Sequence, residues 1–271
     1  MTNFPIALQL YSVREDMEKD FEGTIRKVKK LGYDGVEFAG LFGKTAGEVK
    51  AICDKVGIIP ISAHVTFTDM MEDPELLQTY AEIGCKFVVI PYLTPEYRPG
   101  NEKFGEVIEG AKKLGKIANA LGMKLCYHNH DFEFVKIDGE YALDILYNEV
   151  SEELLETEID TCWVNVGGEN PADYVRKYAG RVNILHLKDF TGEKSDNMYA
   201  LIGIDEDEKK QETNKFEFRP VGYGKQDFIA ILEAAKESGT KWVVVEQDEP
   251  SMDKSCMECA ELSIEYLKSI L

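Results

Sequence analysis

Four histidines, His64, His128, His130 and His186, are all that this chain has. Each falls toward the C-terminal end of a short apolar run: IIPISAHV, KLCYHNH or VNILHLKDF. Carboxylates occupy the same places. Glu37 lies in GVEFAG, Asp160 closes LETEID, Asp189 follows His186, and Glu246 lies at the end of KWVVVEQ, with Lys188 beside them in sequence. Imidazole mixed with carboxylate suits a divalent ion with open positions, such as Mn²⁺, Zn²⁺, Co²⁺ or Fe²⁺, better than the all-oxygen shells of Ca²⁺ and Mg²⁺. His128, Asp160, His186 and Glu246 are the strongest ligand candidates, because they come from four consecutive runs. The alternative is a structural ion network in which Asp160 and Glu246 pair with Lys188 and Arg219.

Those residues need a scaffold that brings strand ends together. Short runs rich in Val, Ile, Leu, Phe and Tyr begin near residues 6, 35, 58, 86, 124, 155, 182 and 241. They are mostly apolar on both faces, as parallel strands under helices should be. The segments between them are amphipathic. Phe21–Lys30 places Phe21, Ile25 and Val28 on one face and is followed by Gly32 as a stop. Phe104–Leu121 precedes Gly122, Asp227–Ser238 precedes Gly239, and Asn170-Pro171 reads as an N-cap with proline at the first helical position. Eight strand-then-helix units over 271 residues predict a single-domain (β/α)8 TIM barrel, residues 1–271, with its site at the C-terminal mouth. A doubly wound sheet would need a glycine-rich turn after the first strand, and that turn has none. The irregular stretch is Thr191–Lys225, with acidic IDEDEKKQE and then FRPVGYGK. It is expected to be a functional loop or an ordered insertion.

Composition narrows the partners. With 50 acidic residues against 31 basic and a net charge of -19, the chain has no basic cluster to neutralise a phosphate backbone, so nucleic acid is not expected. No apolar run reaches the ~20 residues of a spanning helix, and no secretory signal is visible at the N-terminus. A cytoplasmic protein with reduced thiols, possible as a homo-oligomer, is the expectation. Cys256 and Cys259 form a single CxxC without the second pair a zinc site would need.

The motifs LQLYSVRED (8–16), LGYDGVEF (31–38), SAHV (62–65), LCYHNHDFEF (125–134), EIDTCWV (158–164), YAGRVNILHLKDF (178–190), VGYGKQDF (221–228) and VVVEQDE (243–249) together give the chain a resemblance. It resembles the xylose isomerase-like TIM-barrel superfamily, in the branch of sugar phosphate isomerases and epimerases. The resemblance implies one divalent metal held at the ends of strands five to eight, which falls on His128, Asp160, His186 and Glu246. It also implies a carbohydrate substrate. Many relatives carry a glutamate on strand five where this chain has His128. In ketose epimerases the two glutamates bind metal and exchange protons on opposite faces of the substrate, so one of two bases is replaced here. His130, Glu133 or Lys188 is then the second proton-transfer group beside Glu246.

The implied chemistry is proton abstraction next to a carbonyl, with a divalent cation stabilising the enediolate charge and a carboxylate such as Glu246 taking the proton. Returning the proton gives epimerisation or isomerisation, the first expectation. Expelling a β-leaving group gives a lyase or dehydratase acting on a keto-inositol or 3-keto-glycoside, the alternative. A non-catalytic sugar-binding barrel and an abasic-site endonuclease are weaker rivals; the negative charge opposes the second. Gln9, Glu37 and His64 are candidates for sugar hydroxyls. Arg219 matches a position where some relatives place a substrate-binding arginine, and Trp163 either stacks a sugar face or packs the core. Arg14 either caps the first helix, the favoured reading, or closes the rim. VGYGK lacks P-loop spacing, which favours a neutral substrate.

Overall fold

In the computed structural model, which describes residues 4–194 and 216–271, the apolar runs form eight parallel strands. They are β1 Ile6–Gln9, β2 Gly35–Ala39, β3 Ile59–His64, β4 Phe87–Ile90, β5 Lys124–His128, β6 Glu156–Asp160, β7 Ile184–Leu187 and β8 Trp242–Val245. They close into a barrel in sequence order, with β8 paired back onto β1. This is the (β/α)8 architecture expected from the sequence, every crossover being made by helix on the outside.

The period of two along each strand decides what the barrel contains. Ala7, Ile184 and Val244 lie two residues before Gln9, His186 and Glu246. With Ile61 they form a separate buried apolar cluster against Phe87 and Trp242. The polar partners therefore sit one layer nearer the C-terminal mouth, on an apolar floor that excludes water from below. Both inward layers arise from the same alternation, so the floor and the site come as one pattern.

Helix ends follow the residues that signalled them. Phe21–Leu31 starts on Asp20, whose side chain accepts from the Gly23 amide, and stops at left-handed Gly32, φ 101°. Pro171–Lys177 is capped by Asn170, and Phe228–Ser238 by Asp227. The final helix, Cys256–Ile270, opens on a Ser255/Glu258 capping box. All six cysteines are free thiols. No helix of the described residues is long and apolar enough to cross a membrane.

Between β7 and β8 an antiparallel ribbon pairs Asp189–Thr191 with Glu217–Arg219. The acidic run IDEDEKKQE lies outside the described residues. The following VGYGK turn folds around one buried carboxylate. Asp189 Oδ2 accepts from the Gly222 and Gly224 amides at 3.0 and 2.8 Å, and Oδ1 accepts from Gln226 N at 3.2 Å. A Cβ on Gly224 would stand 2.3 Å from Asp189 Oδ1, so the glycine is what permits this wrap.

One helix approaches its neighbour at backbone distance. A Cβ on Gly115, inside Phe104–Ala120, would sit 2.1 Å from the Leu154 carbonyl oxygen. Gly105 in the same helix faces open space. Gly115→Ala is expected to destabilise the protein by about 1–3 kcal/mol through overpacking, despite alanine's better helix propensity. Gly105→Ala should be neutral or stabilise by up to ~1 kcal/mol. Urea denaturation of the two variants checks this, and equal effects would show that the close approach is not rigid.

Candidate active site

The ladder register carries the chemistry to one place. On β5 and β6, His128 pairs with Glu158; on β6 and β7, Asp160 pairs with His186. Glu246 directly follows β8. Donor atoms of His128, Asp160, His186 and Glu246 lie within 4.8 Å of one another, and all four residues are buried. His186 Nδ1 is 3.2 Å from Glu246 Oε2, and His128 Nε2 is 3.8 Å from Asp160 Oδ2. Asp160 is held by its own backbone surroundings. Its Oδ1 accepts from Trp163 N at 2.9 Å, capping the helix Thr161–Val166, while its amide donates to Asn129 Oδ1 at 3.0 Å. That leaves Oδ2 buried without a hydrogen-bond partner. A bare carboxylate oxygen out of water is costly, and here it is grouped with two imidazoles and a second carboxylate. The donor set fits a divalent transition ion.

A second carboxylate lies deeper. Glu158, two residues before Asp160 on the same inward face, places Oε1 2.7 Å from His64 Nε2, 3.1 Å from His186 Nε2 and 3.2 Å from His128 Nδ1. Glu37 adds Oε1 at 2.8 Å from His186 Nε2 and 3.0 Å from His64 Nε2. Burial opposes charge on His64, but the carboxylates of Glu37 and Glu158 overcome it and push the imidazole up to about 10. The same carboxylates raise His186 against its burial. Burial also opposes ionisation of Glu158, yet His186 and His64 hold it well below the usual carboxylate range. His128 is lowered, chiefly by burial.

Lys188 reaches the mouth from just beyond β7. Its Nζ is 2.6 Å from Asp248 Oδ2 and 3.2 Å from Glu246 Oε2, and it stands 5.4 and 5.0 Å from the ring centres of Trp163 and Phe218. Burial works against the charge, but Asp248 and Glu246 outweigh it, so the group stays an ammonium. Burial lifts Asp248 to about 6 in spite of Lys188. His130 is driven well below its ordinary value by burial, with His128 and Lys188 adding to the effect. Its ring packs against Tyr92, Phe132 and Trp163. The Lys188 cation and the His130 imidazole thus both stand against the Trp163 ring.

The other sequence candidates are distributed differently. Gln9 and Glu37 are fully buried. Gln9 Nε2 donates to Glu37 Oε1 at 2.7 Å, and Ser62 Oγ donates to Oε2. Both residues are thereby engaged with protein groups around His186 rather than placed at the rim as sugar contacts. His64 turns Nε2 inward to the same carboxylates. Trp163 is fully buried in a cluster with Cys162, Phe190 and Phe218, which is the core-packing reading. Arg219 pairs with Glu217 at 2.8 Å on the ribbon, so the alternative network of Asp160 and Glu246 with Lys188 and Arg219 forms only at Lys188–Glu246. Arg14 is the C-cap of the first helical element, the 3-10 turn Leu10–Val13, and its guanidinium donates to the Tyr11 carbonyl at 3.1 Å. It donates to the Asp248 carbonyl at 2.6 Å and to Glu249 at 2.9 Å, closing the seam between β1 and β8.

Residues 25–270 match the family described as "Xylose isomerase-like TIM barrel". The chain belongs to this family. Inosose dehydratase of Clostridium beijerinckii is 25% identical over 93% of this chain and 90% of its own length. Among solved structures, a sugar phosphate isomerase/epimerase from Parabacteroides distasonis superimposes with TM-score 0.78 at 21% identity, covering 99% of this chain and 95% of that one. The IolI protein with a bound zinc atom gives TM-score 0.73 at 17% identity, over 98% and 97%.

Sequence reasoning passed over Glu158 and Asp248. Each is two residues from a named candidate, and the strand period that faces Asp160 and Glu246 inward was the available signal for both.

Purified protein is expected to carry roughly one divalent ion per chain, lowered strongly in Asp160→Ala and His186→Ala by elemental analysis; full retention in both would refute the ligand set. A second expectation concerns Glu133. It is fully buried, with Oε1 accepting from Tyr127 and Oε2 from His130 N. Burial raises it from 4.5 to about 8, so the folded state holds a proton that the unfolded chain releases. The stability this contributes is full below about pH 4.5 and is lost as pH rises through about 8. Glu133→Gln, permanently neutral, should gain in Tm relative to the parent as pH is raised across that window. Parallel melting curves would contradict this.

Proposed function

We propose that the chain is a divalent-metal-dependent lyase that removes water from a keto-inositol or a related neutral cyclic keto-polyol. The isomerase/epimerase expectation gives way to the dehydratase alternative. The observation that carries the reading is the make-up of the mouth. His128 stands at the strand-five position expected to supply a second glutamate, and an ammonium, Lys188, stands 3.2 Å from the one at the end of β8. Epimerisation with two carboxylate bases does not suit this pairing. Elimination does, because it needs one proton acceptor and one proton donor. The resemblance to inosose dehydratase over most of both chains supports the same class.

His128, Asp160, His186 and Glu246 would hold a divalent ion, which when bound would supply Lewis acidity toward a carbonyl. The residues do the rest. Glu246 would be held as a ligand and its Oε2 already accepts from Lys188, so His130 is the acceptor for the proton on the carbon beside the carbonyl. The electrons of that C–H bond form a carbon–carbon double bond as the β C–O bond breaks. The departing oxygen takes a proton from Lys188 and leaves as water. The double bond carries a hydroxyl and tautomerises to a second carbonyl. A neutral substrate suits the site because the VGYGK amides are occupied by Asp189 and are not offered to a phosphate.

Incubation with a keto-inositol and Mn²⁺ or Co²⁺ in deuterated water tests this. The expected product is lighter by one water, and its formation stops with a chelator. Lys188→Met should retain exchange at the carbon beside the carbonyl while losing about 10²–10⁴-fold in water loss; His130→Ala should lose both. Deuterated epimer without water loss would restore the isomerase reading instead.

A further inference from the structure

We propose that Glu158 is the positioning residue of the metal centre: its Oε1 takes the N–H proton of His128 and, as a charge beside the Glu37 oxygen that takes the His186 proton, helps turn the other nitrogen of each ring toward the ion. This rests on the reading above that His128, Asp160, His186 and Glu246 form the ligand set.

Both nitrogens of each of two rings have a defined neighbour. His186 presents Nδ1 to Glu246 Oε2 at 3.2 Å and Nε2 to Glu158 Oε1 at 3.1 Å. His128 presents Nε2 to Asp160 Oδ2 at 3.8 Å and Nδ1 to Glu158 Oε1 at 3.2 Å. Each ring therefore stands between the upper donor set and the same deeper oxygen. A neutral imidazole that lends one lone pair to a cation must keep its proton on the other nitrogen, and that N–H needs an acceptor. Glu158 faces both rings, in opposite tautomers: it takes Nδ1–H of His128 and stands 3.1 Å from Nε2 of His186. Glu37 Oε1 accepts the His186 Nε2–H at 2.8 Å, with the Glu158 charge beside it. For His128, Glu158 is the partner on that side.

Two further observations fit a charge placed to orient rather than to bond. Glu158 Oε2 is buried without a hydrogen-bond partner, so the residue is not there for its hydrogen-bond count. His64 donates to the same Oε1 at 2.7 Å, and its ring stacks on His186 at 5.4 Å and meets His128 edge-on at 5.1 Å. The three rings thus fix one another around the oxygen.

The same deeper atoms, His64, His128, Glu158 and His186, are also close enough to hold an ion of their own. Filling both sets would require both shared imidazoles to lose their last N–H and bridge two cations. The positioning role needs no such deprotonation.

The test uses the full chain. Zn²⁺ affinity is measured by chelator competition, and the Co²⁺ form is followed by visible absorption. Glu158→Gln should keep the parent's ion count, bind about 10–100-fold more weakly and shift the Co²⁺ bands. Glu156→Gln is the control. It lies on the same inward face, bonded to Asn183, and should leave both readouts unchanged. Parent-like affinity and spectrum in Glu158→Gln overturn the proposal, as does an equal change in Glu156→Gln. A count that falls from two ions to one assigns a second ion instead and also overturns it. Nitrogen-15 NMR of the zinc-loaded parent needs no variant: His128 should show the Nδ1–H tautomer and His186 the Nε2–H tautomer, and the reverse in either ring rejects the role. A parent chain that binds no ion sinks the ligand set itself, a failure separate from these.

Discussion

Charge inside the barrel has to balance without water. Glu37, Glu158, Asp160, Glu246 and Asp248 are all buried, and so are His128, His186 and Lys188. An isolated carboxylate in such a place is untenable, and it persists only when paired and hydrogen-bonded. The interior meets this by interleaving anions with nitrogen donors on successive strands. Glu37 lies among Gln9, Ser62, His64 and His186. Lys188 lies between Glu246 and Asp248. Removing any one partner would leave a neighbour's charge exposed to low dielectric, so the polar layer behaves as a unit.

That unit has two levels with different duties. The upper level gathers the donors that suit a divalent ion, with the Lys188 ammonium beside Glu246. In the lower level Glu37 and Glu158 face the far nitrogens of His128 and His186, and His64 stacks on the His186 ring. The apolar floor of Ala7, Ile61, Ile184 and Val244 seals it from beneath. A strand that alternates inward and outward supplies both levels from the same few residues, so the barrel builds site and support together.

The seams of the mouth are held by polar contacts between distant segments. Arg14 ties the end of β1 to the chain after β8. Asp189 gathers the amides of the VGYGK turn, so a stretch that looks able to cradle an anion has an internal one already. Phe218, on the ribbon, packs over Trp163 and beside Lys188, which shields the ammonium from solvent and strengthens its pairing.

By itself the sequence determined what depends on neighbours along the chain. Apolar runs of strand length, caps such as Asn170 and Asp227 and stops at Gly32 and Gly239 dictate eight strand–helix units, and chemistry at strand ends singles out His128, Asp160, His186 and Glu246. Glu158 and Asp248 were legible in principle through the period of two, but only as inward-facing acids. Tertiary structure decided which atoms meet. His186 and Glu37 are 149 residues apart, Arg14 and Asp248 are 234 apart, and nothing local says which nitrogen of a ring will face which oxygen. Closure of the barrel sets those distances, because register and strand tilt are properties of the whole ring and not of any one strand.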